Sequence, residues 1–283
     1  MTDNYEGRER HMKKHIPTII MVIIFLCGLS LFLYPTLSDL YNGYLNKKLI
    51  GEYEEVFSEI PKEHHEEAKK NALLFNENRH NPDKLQELGL TYEEVLNVAN
   101  NGIMGYIEIP KINVSLVIYH GTDEKLLQKG IGHVEESSLP IGGEDSHAVL
   151  AGHTGLPSAK LLTNLDHLKV GDTFTIHVLD EDLVYCIDDI SVVEPDEVSK
   201  LNVISGKDCV TLVTCTPYGV NSHRLLVRGV RMNDGNVTSE GVGVQNDIFH
   251  IDMKYLLTFS LKSVLSIYIV ERKLRARIKG KEK

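Results

Sequence analysis

Three residues in this sequence have the chemical types that acyl transfer requires. Cys215 closes the apolar run VTLVTC, and Arg224 opens the run RLLVRG. The eight residues between them, TPYGVNSH, include a Pro, a Gly and an Asn, so they turn instead of continuing a strand. If the two runs pair as antiparallel neighbours, Cys215 and Arg224 lie side by side at a sheet end. Far upstream, AGHTG places His153 between glycines, just after the apolar run HAVLA. A thiolate attacks a carbonyl carbon, an imidazole moves the protons, and a guanidinium steadies the oxyanion or the substrate backbone. Each residue alone also has a plain structural reading. A strand-end Cys packs as a small hydrophobe, a His sits at the surface or hydrogen-bonded in a core, and an Arg solvates a strand edge.

The elements that must hold these residues follow from texture. From Gly102 onward, short β-branched and often alternating runs are bounded by Gly, Pro and Asp. About 130 residues of such strands make a closed barrel or a sandwich. The preceding stretch, 39–101, reads as helical: Leu40, Tyr44, Leu45 and Leu49 fall at helical spacing, and Glu, Lys and Ala abound. Asn81-Pro82-Asp83 breaks it, and a short helix is expected over Tyr92–Ala99.

The chain has 283 residues, 42% hydrophobic and 25% charged, which excludes a disordered or collagen-like polypeptide. Its four Cys have no metal-ligand spacing and are too few for a disulfide scaffold. The net charge is −10, but the ends are basic, so residues 16–254 carry about −17. So acidic a body is a poor partner for nucleic acid. Residues 1–15 are a basic N-terminus, and Ile16–Ser38 then runs without a charge, long enough to cross a bilayer as a helix. The Lys/Arg bias keeps the N-terminus in the cytoplasm and puts the bulk of the chain outside. A cleaved signal peptide is the weaker reading, because no small-x-small site follows the apolar run. Residues 234–254 read as a polar, Gly-containing linker. Tyr255–Val270 is a second apolar stretch, interrupted by Lys262, which either crosses the membrane or lies on it. The basic tail 271–283 fits a cytoplasmic end.

The string TLVTCTPYGVNSHRLLVRG resembles the sortase signature, and VLAGHTG resembles that family's His motif. GYIEIPKINVSLVIYHGTDEKLLQKGIGHVEESSLPIGG resembles the start of the sortase barrel, so the likeness runs from Met104 to Met232 in the expected order. The helical stretch before the barrel and the anchoring at both ends resemble the pilus-assembling class C sortases. The resemblance implies an all-β, closed eight-stranded barrel over 102–233, with Cys215 as nucleophile, His153 as general acid/base and Arg224 as oxyanion or substrate-positioning residue. It implies cleavage of an LPxTG-like sorting signal after Thr, and transfer of the acyl group to a Lys of the next pilin, at the membrane of a Gram-positive bacterium. No cofactor or metal is implied. Class C sortases usually carry a lid with an Asp-Pro-aromatic motif; the matching place here reads Asn81, Pro82, Asp83, which lacks the acid and the aromatic. That segment is then a lid that is loosely held or closes by different contacts, with Asp83 or a neighbour standing in, or else a helical decoration over 75–95. Other readings are a sortase that attaches proteins to peptidoglycan, a hydrolytic cysteine protease, and a non-catalytic sortase-like binding module.

Among the remaining candidates, His120, His133 and His147 are expected near turns at the surface. His223 is expected to face away from Arg224, and Cys186 and Cys209 to be free buried thiols. Glu135, Glu136, Glu144 and Asp145 read as a solvated acidic face.

Overall fold

The computed structural model describes residues 3–232, with side chains from Thr18 onward. The second apolar stretch at 255–270, the linker at 234–254 and the basic tail therefore lie outside the described residues. Residues up to Leu33 belong to one unit, and those from Tyr34 to a second that contains the strands. Helix α1 (Asp3–Glu59) includes the charge-free stretch. From Thr18 onward it holds a window of mean hydropathy 2.4, none of it buried, long and apolar enough to cross a membrane. Helices α2 (Lys62–Asn78) and α3 (Pro82–Leu88) follow.

The barrel strands are β1 (Ile103–Ile109), β2 (Val114–His120), β3 (Ile131–His133), β4 (Ser146–Ala151), β5 (Thr173–Val178), β6 (Glu181–Val193), β7 (Asp208–Thr216) and β8 (His223–Arg231), with the short helix α4 (Glu124–Leu127) before β3. They close in the order β1-β2-β3-β4-β7-β8-β6-β5. All pairs are antiparallel except β2–β3 and β4–β7. The alternating runs put Ile107, Ile118, Leu150, Ile176, Leu212 and Val227 inside, essentially without solvent contact, around the stacked rings of Phe174 and Tyr185. Closure leaves no free sheet edge, which explains how so short a set of strands is stable in isolation from other sheets. Gly229 makes room for those rings: a Cβ there would lie 2.7 Å from Phe174.

Helix α1 is fastened to the barrel by single polar side chains. Asn46, buried, donates to the Lys129 carbonyl at 2.8 Å and accepts from the Val117 amide at 3.2 Å. The Tyr53 hydroxyl donates to the Met104 carbonyl and accepts from the Leu179 amide, and burial pushes its pKa up to about 12.

Two expectations are corrected. Tyr92–Ala99 is a series of turns and no helix, because Leu96 and Asn100 take positive φ (64° and 50°) while Tyr92, Val95 and Leu96 are pulled into the core. His133 and His147 are buried, not at the surface. His147 bridges the Asn202 carbonyl and Thr211, while His133 is held by the Tyr92 hydroxyl at 2.9 Å and the Ser138 carbonyl at 2.8 Å.

Burial lowers the His133 pKa to about 4, against a partial offset from the Ser138 carbonyl. The unfolded chain, with an ordinary His near 6.5, takes up the proton first. Stability should thus fall as pH drops from about 6.5 towards 4, by about 3 kcal/mol from this residue, and level off below. Chemical denaturation between pH 4 and 7 checks this: a His133→Gln variant should show a shallower pH dependence than the parent chain.

Candidate active site

Cys215 and Arg224 are direct cross-strand partners in the β7–β8 pair. Opposed residues of an antiparallel pair project from the same face, so thiol and guanidinium share one side of the sheet at its end. The connecting loop turns back through Gly219 and Asn221, both at positive φ, while the Val220 and Asn221 amides donate to the Pro217 carbonyl at 3.0 and 2.9 Å. Both residues are half-buried. Arg224 uses Nη1 to reach the Asn221 and His223 carbonyls at 3.4 and 3.2 Å, and has no ion-pair partner among the described residues. Its remaining N–H groups are uncommitted to protein acceptors there, which suits a donor awaiting an anionic oxygen.

His153 reaches the same level from the other side. β4 runs parallel to β7 with Ala151 opposite Val213. The pairing continues past the strand: the Gly152 amide donates to the Val213 carbonyl at 3.0 Å, and Thr214 Oγ1 donates to the Gly152 carbonyl at 2.8 Å. The next residue on each chain is His153 and Cys215. Gly152 leaves room at this step for the Leu162 side chain, which a Cβ would meet at 2.7 Å. Beyond it the loop folds back, with the Leu162 amide donating to the His153 carbonyl at 3.2 Å and the Gly155 amide to Thr163 Oγ1 at 3.0 Å.

Two neighbours of the site carry no signal in the sequence. Glu124, exposed on α4, places Oε1 3.2 Å from His153 Nε2. Tyr218, in the β7–β8 loop, lays its ring against Gly155, where a Cβ would meet it at 3.1 Å. A single Glu among forty acidic residues, and a Tyr in a turn, have no spacing that marks them. His223 pairs with Thr216, one residue out of phase with Arg224, and sits 3.2 Å from Glu194 Oε1. All four cysteines are free; Cys209 is buried and Cys186 half-buried.

Asn81, Pro82 and Asp83 form the start of α3. Asn81 Oδ1 accepts from the Lys84 amide at 3.1 Å, Pro82 fills the first helical position, and Asp83 lies in the first turn. Gly89, at φ 66°, closes the other end. Among the described residues no hydrogen bond or ion pair joins these three to Cys215, His153 or Arg224. Asn81→Ala is accordingly expected to cost about 1 kcal/mol by loss of the cap and to leave peptide turnover unchanged. Denaturation and turnover measured on the same preparation check it; altered turnover would point back to a lid.

Comparisons with known proteins bear on the barrel as a whole. The Sortase domain family profile matches residues 107–232. Sortase C1 from Streptococcus agalactiae superposes with a TM-score of 0.61 at 43% identity, over 66% of this chain and 99% of that one. Clostridium perfringens sortase C, solved with the C-terminal cell wall sorting motif, gives 0.58 at 43% identity, over 66% and 98%. Sortase A of Bacillus anthracis is 27% identical over 219 residues, 77% of this chain and 95% of the relative. On these matches the chain belongs to the sortase family, and within it to class C.

Proposed function

We propose that the protein is a membrane-anchored cysteine transpeptidase that joins pilin subunits. The observation that carries this reading is the alignment of Cys215 with Arg224 across β7–β8 and with the His153 loop across β4–β7. Cys215 passes its proton to His153, and its Sγ attacks the Thr carbonyl carbon of an LPxTG-like signal. Arg224 donates hydrogen bonds to the oxyanion. As the tetrahedral intermediate collapses, the Thr–Gly bond breaks, and His153 gives its proton to the departing glycine amine. The pilin is then held as a thioester on Cys215. A Lys ε-amine of the next pilin attacks that carbonyl, His153 takes the amine proton, and Cys215 leaves as thiolate. The product is an isopeptide bond, with water giving the free acid as a side product. A thioester keeps the acyl group activated, so no nucleotide is needed outside the cell.

Support for the substrate comes from the likeness to a sortase C solved with a sorting motif, and support for the anchor from the apolar part of α1. In this reading the N-terminus is cytoplasmic and the barrel faces outward. Full-length protein in detergent, given an LPxTG-type peptide with either a Lys-bearing pilin or a peptidoglycan cross-bridge amine, separates the alternatives by product mass. An amide to the pilin Lys is expected. An amide only to the cross-bridge amine would assign cell-wall attachment, free acid alone a protease, and no product a binding module.

A further inference from the structure

Between Asp39 and Lys48 helix α1 is two-faced. One face holds the barrel: Asp39 Oδ1 accepts from the Lys160 amide at 2.8 Å, Asn42 donates to the Ser158 carbonyl at 2.6 Å, and buried Asn46 grips Lys129 and Val117. Ser158 and Lys160 belong to the loop that starts at His153 and returns to it through Leu162. The opposite face is exposed and, among the described residues, no hydrogen bond joins it to the barrel. Leu37, Leu40, Tyr41 and Tyr44 recur at helical spacing and are each 56–64% exposed. Lys47 and Lys48 continue the same stripe, both exposed, Lys48 beside Glu52 at 3.3 Å.

Along the chain this face grades from aliphatic to aromatic to basic, directly after the charge-free run. That is the order of polarity met on leaving hydrocarbon, crossing the carbonyl and headgroup layer and reaching the phosphates. A Tyr ring places its body in the apolar zone and its hydroxyl in the wet one, and Lys stems extend to anionic groups. From Leu37 to Lys48 the helix rises about 16 Å, enough to traverse a headgroup layer even when tilted.

We propose that the Leu37–Lys48 face of α1 docks in the headgroup layer of an anionic bilayer, and that Asp39 and Asn42 thereby seat the His153 loop at the membrane surface. The proposal rests on the anchoring stated above. A sorting signal close to the bilayer would then meet the proton carrier without the barrel having to bend down to it.

The chain contains no Trp, so single reporters can be introduced cleanly. Full-length Tyr41→Trp, Tyr44→Trp and Phe32→Trp variants would be reconstituted in phosphatidylcholine–phosphatidylglycerol vesicles whose lipids are brominated near the headgroup or near the bilayer centre. The expected result is a blue-shifted emission at 41 and 44, largely lost with shallow bromines and retained with deep ones, while the reporter at 32 is quenched in the bilayer. If 32 is quenched but 41 and 44 emit as in water, the docking is overturned and the anchor stands. Blue-shifted emission at 41 and 44 without lipid quenching would mean a protein partner, again overturning it. No quenching at any position would overturn the anchor, and the docking with it.

Discussion

Cys215→Ala is expected to abolish acyl transfer, by at least about 10³-fold, because the thioester has no other atom to form on. Intact mass after incubation with an LPxTG-type peptide should show the parent chain gaining the acyl fragment and the variant gaining nothing. The result is interpretable because the change is structurally mild. Cys215 is half-buried and free, and its backbone pairs remain. The buried thiol on the same strand, Cys209, is no substitute: burial pushes its pKa up, away from thiolate. An adduct that survived in the variant would move the nucleophile elsewhere and dissolve the assignment of all three residues.

The second large effect is at Arg224. Arg224→Ala is expected to lower kcat by about 10²–10³-fold with a smaller change in KM, the pattern of a donor used mainly in the transition state. Arg224→Lys should recover only part, since an ammonium keeps the charge but not the planar fork. Among the described residues the guanidinium bonds only to carbonyls of its own loop and strand start, so either substitution removes little stability. Rates and KM measured with a quenched fluorescent sorting peptide decide the matter. A rise in KM with kcat unchanged would make Arg224 a substrate clamp and no oxyanion donor.

The parts of the site that the sequence made legible are those built by local chain. Cys215 and Arg224 are nine positions apart with turn residues between, so their pairing follows from two strand patterns and a loop. The placement of His153 does not follow from pattern. It depends on the parallel register of β4 on β7, Ser146 opposite Asp208, which no periodicity encodes. The barrel was similarly legible as alternating runs, whereas its closure order was not. The turns over 91–100 escaped because helix propensity is a weak prior against burial of Tyr92 and Leu96. The buried histidines escaped because a polar residue in a core is marked only by its partners, here Tyr92 and Ser138 for His133. The docking of α1 through Asn42 and Asn46 has the same origin, side-chain amides whose role is marked only by the carbonyls and amide they meet.

The parallel seam between β4 and β7 bears on the order in which the barrel assembles. The hairpin that unites Cys215 and Arg224 closes a short loop, whereas bringing His153 alongside requires two segments some sixty residues apart to find each other. Non-local pairing of this kind is the slow part of assembly, since chain entropy must be spent before any contact rewards it. The Cys215–Arg224 hairpin is therefore expected to form before His153 is brought alongside it. In the proposed reaction, closing the β4–β7 seam is the step that brings the proton carrier to the nucleophile.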